Sequence, residues 1–394
     1  MKGRWPKVPL GQIAELTWRG QTVDPDRKYR LVGVRWWGEG AYEYKILSGS
    51  EIQANQLFRT EEGDLVINKI WARHGSLAVV DESMAGAHGS SEFPTFTLDR
   101  KQVEPRFVHW FCKTSIAWSQ CESLSQGTSG KNRVKPERFL NVKLLLPPLF
   151  EQRRIVAELD AAARHVQAHQ RIAGAVIKEL EDLTVSAHLA ESDEEFSVGE
   201  LLTLEEHRTE ILPGRSYPQV GIRGFGGGLF EKSAVAAEDT TYRYFNRIFS
   251  EAFVVSQVKG WEGAVAVCSP AKEGRFVSPE YRTFRCKPGK LRPEYLSHIC
   301  RTSWFHNHLA QLTRGQGARR ERLRPESLST LRLPMPPIDR QVRLERAFER
   351  ATKAHEYMKA AEADLAALIP ALLHHAFSEQ VEIAPALKDL VAAE

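Results

Sequence analysis

The 394-residue sequence lacks the features that mark several large classes of protein. No apolar run approaches the ~18 residues that a membrane-spanning helix needs, and residues 1–10 have no apolar segment of the kind found in signal peptides. We therefore expect a cytoplasmic protein with no membrane partner. The five cysteines are odd in number, widely spaced and without a CxxC pair, so neither a disulfide framework nor a zinc site is indicated. The net charge is only +4, which permits nucleic-acid binding without demanding it.

Motifs of the common enzyme classes are also missing. The sequence has no GxSxG elbow, no HExxH and no P-loop, and its Pro-Pro pairs lack the flanking residues with which an adenine methyltransferase grips a flipped base. We therefore expect no catalytic residues, no cofactor and no metal site in this chain. One enzymatic alternative stays open: Asp26, Glu43 and Lys45 loosely imitate a metal-dependent nuclease, although the second copy has Ser233 at the position of Lys45.

Two further motifs have a structural interpretation that is simpler than the chemical one. Residues 221–228 are rich in glycine and resemble a phosphate-binding loop, but no acidic partner follows in a strand–turn–helix, so a tight turn is favoured. His306 and His308 look like metal ligands, yet their positions favour a helix surface.

The sequence contains a tandem repeat of about 190 residues. At a shift of 188 the pairs are residues 29–42 with 217–230, 75–80 with 263–268, and 108–115 with 296–303; residues 63–68 are set against 252–257. One inserted residue moves the shift to 189, where 133–137 meets 322–326 and 146–149 meets 335–338. Chance similarity does not keep frame over ~120 residues, so each half is predicted to be one fold unit.

Within a unit, the hydrophobic pattern is that of an α+β module. Short apolar runs at 65–67, 77–80, 93–98 and 142–146 predict strands. Pro105 opens a helix whose apolar residues continue at helical spacing to Trp118, and Pro293 opens its counterpart.

A long helix follows each module. In the first, apolar or small residues recur every three or four positions, namely Ile155, Leu159, Ala162, Val166, His169, Ala173, Val176, Leu180, Leu183 and Ala187. Shifted by 189, the stripe becomes Leu344, Phe348, Ala351, His355, Met358, Glu362, Leu365, Ile369, Leu372 and Ala376. Such narrow stripes predict a coiled-coil seam rather than a helix packed only on its own domain. Pro370 is expected to kink the second helix or to end its regular part. The predicted domains are residues 1–147, a central helix at 148–192, residues 193–336, a distal helix at 337–377 and a tail at 378–394.

Basic residues cluster at the same place in both modules. They follow glycine-containing turns and lie before the last strand, and with neighbouring amides they are candidates for DNA contacts: Lys131, Asn132, Arg133 and Lys135 in the first copy, and Arg314, Gln316, Arg319, Arg320, Arg322 and Arg324 in the second. A second candidate surface alternates basic and aromatic residues, with Lys69, Trp71 and Arg73 matched by Lys259 and Trp261. A solvated run of charge and, for Trp71, a core position are the alternatives.

The pattern resembles the specificity subunit of type I restriction–modification systems across essentially the whole chain. The resemblance is carried by residues 146–155 (LPPLFEQRRI), by 126–131 (QGTSGK) followed by 140–148 (LNVKLLLPP), and by the order of module, helix, module and helix. In the second copy, residues 339–341 stand out of register with 151–153. The resemblance implies two target recognition domains on an antiparallel helical coiled coil.

The same resemblance implies that this chain reads double-stranded DNA and that its partners do the chemistry. These would be methyltransferase subunits, two in number and carrying S-adenosylmethionine, and a restriction subunit that translocates with ATP and Mg²⁺. Besides the nuclease, a scaffold whose helices bind proteins without touching DNA stays open.

Overall fold

The computed structural model describes residues 5–125, 132–312 and 322–378, and they divide into two compact units. One unit comprises Met1–Gln170 with Glu362–Glu394, and the other comprises Arg171–Ala361. Each unit contains one module together with parts of both long helices, because each long helix continues from one unit into the other.

The strands of the first module are short and antiparallel in most pairings. In chain order they are β1 (Lys7–Pro9), β2 (Ala14–Thr17), β3 (Gly20–Thr22), β4 (Lys28–Val34), β5 (Ala41–Ser48), β6 (Gln56–Arg59), β7 (Leu65–Ile67), β8 (Leu77–Val79), β9 (His88–Gly89), β10 (Thr95–Leu98) and β11 (Lys143–Leu145). They form a four-stranded sheet in the order β2-β10-β7-β8, a five-stranded sheet in the order β3-β6-β9-β4-β5, and the pair β1-β11. Only β4 and β9 pair in parallel among the strands described.

Strand β7 is buried on both faces because it lies between two cores. Leu65 and Ile67 point into the larger core, where the helices also pack, and Val66 between them points into a smaller core with Val32 and Val80. A strand covered on both sides is a continuous apolar run, which is why 65–67 is recognisable from sequence.

Two helices follow where the hydrophobic spacing predicted one. α1 (Pro105–Cys112) begins at its proline as expected, but Thr114 interrupts it. The Thr114 hydroxyl accepts a hydrogen bond from the amide of Ala117 and so caps α2 (Ser115–Leu124). The prediction of a single helix was wrong at this point, since apolar spacing does not register a cap. A short helix, α3 (Pro136–Phe139), precedes β11.

The first long helix, α4 (Leu149–Ala190), leads into the second module. That module contains β12 (Glu194–Ser197), β13 (Leu202–Leu204), β14 (His207–Glu210), β15 (Ser216–Tyr217), β16 (Val220–Ile222), β17 (Leu229–Glu231), β18 (Val235–Ala236), β19 (Tyr244–Arg247), β20 (Phe253–Ser256), β21 (Val265–Val267), β22 (Phe276–Val277), β23 (Tyr281–Cys286) and β24 (Arg332–Met335). Its helices are α5 (Val198–Leu201), α6 (Pro293–Ile299), α7 (Ser303–Gln311) and α8 (Pro325–Thr330), and the second long helix, α9 (Ile338–Phe377), follows.

The second module repeats the plan of the first. Its four-stranded sheet β13-β23-β20-β21 corresponds to β2-β10-β7-β8, and β12-β24 corresponds to β1-β11. Val254 faces a smaller core between Phe253 and Val255, which face the larger one, as Val66 does between its neighbours. The fold class is therefore α+β with two repeated domains and two long helices, as predicted.

The structure corrects one part of the repeat alignment. Leu65 pairs with Val79 in β7-β8, and Phe253 pairs with Val267 in β20-β21, so both pairs are related by the shift of 188. Setting 63–68 against 252–257 was therefore wrong by one residue. Glu251 takes the place of Gly63, and both have a positive φ, of 65° and 84°.

Both long helices are anchored to a module at each end. In the first unit the start of α4, at Ile155 and Leu159, shares a core with Leu373 and Phe377 at the end of α9. In the second unit His188 at the end of α4 bonds to Tyr295, and Phe348 near the start of α9 packs on the same ring. Within each unit, the start of one long helix therefore packs in the same core as the end of the other.

The predicted seam is correct at some positions and wrong at others. The buried positions include Ile155, Leu159, Val166 and Ala173. His169 and Leu183 are exposed, and at the end of the stripe His188 is fully buried rather than the predicted Ala187. α9 also continues for seven residues beyond Pro370, so the proline does not end the helix.

A buried glutamine holds the start of each long helix. Gln152 accepts from the amide of Glu104 at 2.9 Å and donates to the carbonyls of Gln102 and Pro147 at 3.0 and 2.7 Å. Gln341, 189 residues later, makes the same three hydrogen bonds at 2.9, 2.9 and 2.8 Å. Both side chains are fully buried. The two glutamines are therefore in register, contrary to the sequence alignment, and they secure the helices to their own modules.

Candidate nucleic-acid interface

In the first module, a tight loop after β7 presents the predicted basic and aromatic residues. The Asn68 side chain accepts hydrogen bonds from the amides of Ile70 and Trp71 at 3.0 and 3.3 Å, which folds the chain back on itself. A single 3₁₀ turn follows and ends at Gly75, whose φ is 73°. Trp71 is 37% exposed, so it is not a core residue.

This loop is joined to the tip of the β4-β5 hairpin. The amide of Gly38 donates to the carbonyl of Gly75 at 2.7 Å, and the ring centroids of Trp36 and Trp71 are 5.2 Å apart. Trp36 and Trp37 are 45% and 50% exposed. We call residues 35–40 of the first module and 223–228 of the second the hairpin tips. The tip and the loop of the first module form one aromatic surface flanked by the cations of Lys69 and Arg73.

The second module presents the same two residue types at exchanged positions. With the corrected shift of 188, Lys259 corresponds to Trp71, and Trp261 corresponds to Arg73. Trp261 is 43% exposed, and the Lys259 ammonium lies 3.7 Å from the Glu262 carboxylate. Each loop therefore exposes one indole; Lys69 and Arg73 are half-buried in the first loop, whereas Lys259 is exposed in the second.

The basic segment before the last strand is held by an acidic residue in both modules. Arg133 lies 3.2 Å from the carboxylate of Glu92, and Lys69 lies 3.8 Å from the same group. Arg322 lies 3.0 Å from Glu280, which is the equivalent of Glu92. These arginines are thus oriented by an ion pair, at side-chain exposures of 44% and 48%.

The basic segment is also tied to the loop by the backbone. The amide of Val134 donates to the carbonyl of Lys69 at 2.9 Å, and the amide of Leu323 donates to that of Gln257 at 2.8 Å. The two surfaces that the sequence singled out separately are therefore adjacent in each module.

The remaining predicted residues fall into two groups. Lys135 and Arg324 are exposed residues that precede α3 and α8, and Asn132 is half-buried. Outside the described residues lie Lys131, Arg314, Gln316, Arg319 and Arg320.

The structure does not assemble the nuclease-like residues. Glu43 pairs with Val32 in the β4-β5 ladder, whereas Asp26 lies in the turn before Lys28, where the strand begins. Asp26 therefore lies near Lys28, at one end of β4, and Glu43 lies beside Val32. These two strand positions are about 13 Å apart, at ~3.3 Å per residue. Within the described part of the chain, no group of three or more His, Cys, Asp or Glu side chains is placed to hold a metal ion.

His306 lies on a helix as predicted, but the expectation of a surface position was wrong. It is buried, and its imidazole bonds to the carbonyl of Cys300 at 2.9 Å. In the first module Trp118 occupies the equivalent position and donates to the carbonyl of Cys112 at 2.7 Å. Burial lowers the pKa of His306. Its role is thus the structural one that an indole performs in the other copy.

The prediction of a tight turn in the glycine-rich segment is confirmed. β16 and β17 pair antiparallel on either side of residues 223–228, so this segment is a turn between strands and does not begin a helix.

The cysteines lie in the cores and not at this surface. All five are free and buried, and burial raises the pKa of Cys121, Cys286 and Cys300 to about 12 and that of Cys268 to about 11. Low thiolate content and burial make these thiols poor nucleophiles at neutral pH. No described helix is both long and apolar enough to cross a membrane.

Comparison with known proteins agrees with this architecture. A family model described as "Type I restriction modification DNA specificity domain" matches residues 2–176, which contain the first module and the first part of α4. The match covers the first repeat and agrees with the resemblance seen in the sequence. No curated protein matches the sequence.

Solved structures match over nearly the whole length of the chain. The HsdS subunit from Thermoanaerobacter tengcongensis is 19% identical, with a TM-score of 0.54, and 96% of this chain covers 98% of that one. A structure described as showing complex assembly and conformational transition of the type I R-M system is 17% identical, with a TM-score of 0.66 and coverages of 95% and 98%. The S subunit from M. genitalium is 12% identical, with a TM-score of 0.51 and coverages of 97% and 98%. At these identities the likeness shows a shared fold.

Proposed function

We propose that the chain is the DNA sequence-specificity subunit of a type I restriction–modification complex. In this proposal each module reads one half of a bipartite double-stranded DNA target, and the two half-sites are separated by a spacer whose sequence is not read. The chain itself catalyses no reaction.

The observation that carries this proposal is the duplication. The first module lies in the segment that matches a DNA specificity domain model. The second module repeats its four-stranded sheet, its two cores and the buried glutamine at the start of its long helix. In both copies the same surface combines indoles, lysine and carboxylate-held arginine. Such a combination suits a polyanion whose bases are read in a groove, because cations bind phosphates and planar or bidentate groups contact bases. The surface residues differ between the copies, so the two half-sites need not be identical.

The long helices are assigned to assembly. In the proposal they carry two methyltransferase subunits, and a restriction subunit joins the complex. S-adenosylmethionine, ATP and Mg²⁺ then belong to those partners and not to this chain. The family resemblance and the description of the assembly structure support this division of labour.

A domain exchange tests the two-reader proposal. Residues 1–147 are replaced by the equivalent segment of a relative with a different target, and the methylated sequence is determined with the methyltransferase subunits present. We expect one half-site to change and the other to stay, while the reciprocal exchange of residues 193–336 changes only the second half-site.

Two results would contradict the proposal. A change in both half-sites, or in neither, would show that the modules do not read DNA independently. If the complete complex gives no electrophoretic shift with any duplex, the chain is a protein scaffold instead.

A further inference from the structure

Each hairpin tip holds a large aromatic residue in the left-handed backbone region. Trp37 has a φ of 59° and Phe225 a φ of 53°, and the two positions are related by the repeat shift of 188. This conformation is unfavourable for residues with a Cβ and costs glycine nothing. Of the described residues other than glycine, only Glu251 shares it.

The backbone around these aromatics is the same in both tips. The amide of Arg35 donates to the carbonyl of Gly40 at 2.9 Å, and the amide of Arg223 donates to that of Gly228 at 3.0 Å. Neither tip can open without breaking this closing bond.

The residue after each aromatic is fixed against a helix. A Cβ on Gly38 would lie 2.4 Å from the carbonyl oxygen of Cys112, and one on Gly226 would lie 2.4 Å from that of Arg301. Each tip therefore packs on the chain at the end of a helix, α1 in the first module and α6 in the second.

Burial does not offset the unfavourable backbone at Phe225, whereas the half-buried Trp37 also packs edge-on against Trp118, at 5.1 Å between ring centroids. Phe225 is 80% exposed and Trp37 is 50% exposed. The second tip has glycine at positions 224, 226, 227 and 228, so Phe225 is the only residue with a side chain between Arg223 and Leu229. An exposed aromatic kept in a strained conformation, twice and at the same place, indicates a binding role outside the folded chain.

An arginine lies two positions before each of these aromatics in the chain, and its guanidinium is held over the ring of another residue. The Arg35 guanidinium lies 4.9 Å above the Tyr42 ring, and that of Arg223 lies 5.0 Å above the Phe230 ring. Both arginines are exposed. Each tip therefore combines an exposed, prearranged guanidinium with an exposed apolar ring, and such a pair suits a phosphate and a nearby base.

We propose that Trp37 and Phe225 are apolar base-contacting residues, one for each half-site of the DNA target. This inference rests on the proposed function. The ring contacts either the face of a base at an opened step or the methyl group of a thymine, and both are apolar contacts that carry sequence information. The neighbouring arginine binds the adjoining phosphate.

Glycine variants separate a binding role from a structural one. The full chain, in complex with its methyltransferase subunits, is titrated with fluorescent duplexes bearing the wild-type target. Because φ suits glycine and Phe225 is 80% exposed, Phe225→Gly should leave the melting temperature unchanged or raise it. Trp37→Gly gains the same backbone relief but loses the ring contact with Trp118, so its melting temperature is measured alongside its affinity. Affinity for the target should fall about 10-fold, with little change for unrelated duplex. Tyr242→Ala, at an exposed aromatic of the second module outside the tip, should leave affinity within twofold.

Modified bases identify the contact. If the ring inserts at an opened base step, the fluorescence of 2-aminopurine placed at that step should rise on binding the wild-type complex and not on binding the Phe225→Gly complex. A methyl contact predicts that uracil in place of thymine weakens the wild-type complex and not the variant. Either result supports the inference. A target affinity that neither glycine variant lowers overturns it, even though the proposed function survives. A wild-type complex that prefers no duplex refutes the proposed function itself.

Discussion

Replacing Gln152 with leucine removes the three hydrogen bonds that hold the start of α4 to the first module. Leucine fills much of the same volume, so the loss is mainly polar. One amide and two carbonyls lose their partner in a position where the glutamine is fully buried. At ~1 kcal/mol or slightly more for each lost bond, we expect the free energy of unfolding to fall by about 3 kcal/mol.

Urea denaturation of the full chain measures this loss. With a slope of ~2–3 kcal/mol/M, the midpoint should fall by roughly 1–1.5 M. Arg153→Ala is the matched control, because Arg153 is the next residue, is 66% exposed and makes only a 3.5 Å pair with Glu104; its cost should stay within about 0.5 kcal/mol.

Gln341→Leu provides a second, independent measurement in the other module. It breaks the same set of hydrogen bonds and should cost a similar amount. If Gln152→Leu costs no more than Arg153→Ala, these bonds do not hold the helix, and the glutamine of the LPPLFEQRR segment serves some purpose other than anchoring.

Two further predictions concern pH and packing. Burial lowers the pKa of His188 from 6.5 to about 4, so between these values the unfolded chain binds a proton that the folded chain excludes. Stability should therefore fall as the pH drops through this window, by up to about 3 kcal/mol, and urea unfolding of His188→Gln should show a flatter pH dependence if the reasoning holds. Gly263 and Gly214 have φ of 70° and 74°, but a Cβ would lie 2.5 Å from His306 at the first and meets nothing within 4 Å at the second. Gly214→Ala should cost about 1 kcal/mol and Gly263→Ala clearly more; equal melting temperatures for the two variants would show that the His306 ring yields without loss.

Features set by neighbours along the chain could be predicted from the sequence alone. Pro105 and Pro293 begin helices because proline suits the first helical turn, and residues 223–228 form a turn because glycine allows it. The duplication was visible because two copies of one fold keep the same spacing of apolar residues. The family resemblance came from the same order of segments.

What depended on distant partners was decided only by tertiary structure. The sequence predicted that His306 lies on a helix surface. In the structure its ring is buried against Gly263 and bonded to the carbonyl of Cys300. Gln152 belongs to the motif that carried the family resemblance, and no structural role was predicted for it, yet its three hydrogen bonds lead to segments 5 and about 50 residues away. The left-handed φ of Trp37 was not predicted from the sequence, and only the structure shows it beside a glycine that packs closely on the end of α1. The sequence of a segment indicates its own conformational preference. A buried contact is made by residues from several segments, so only the tertiary structure shows where packing overrides that preference.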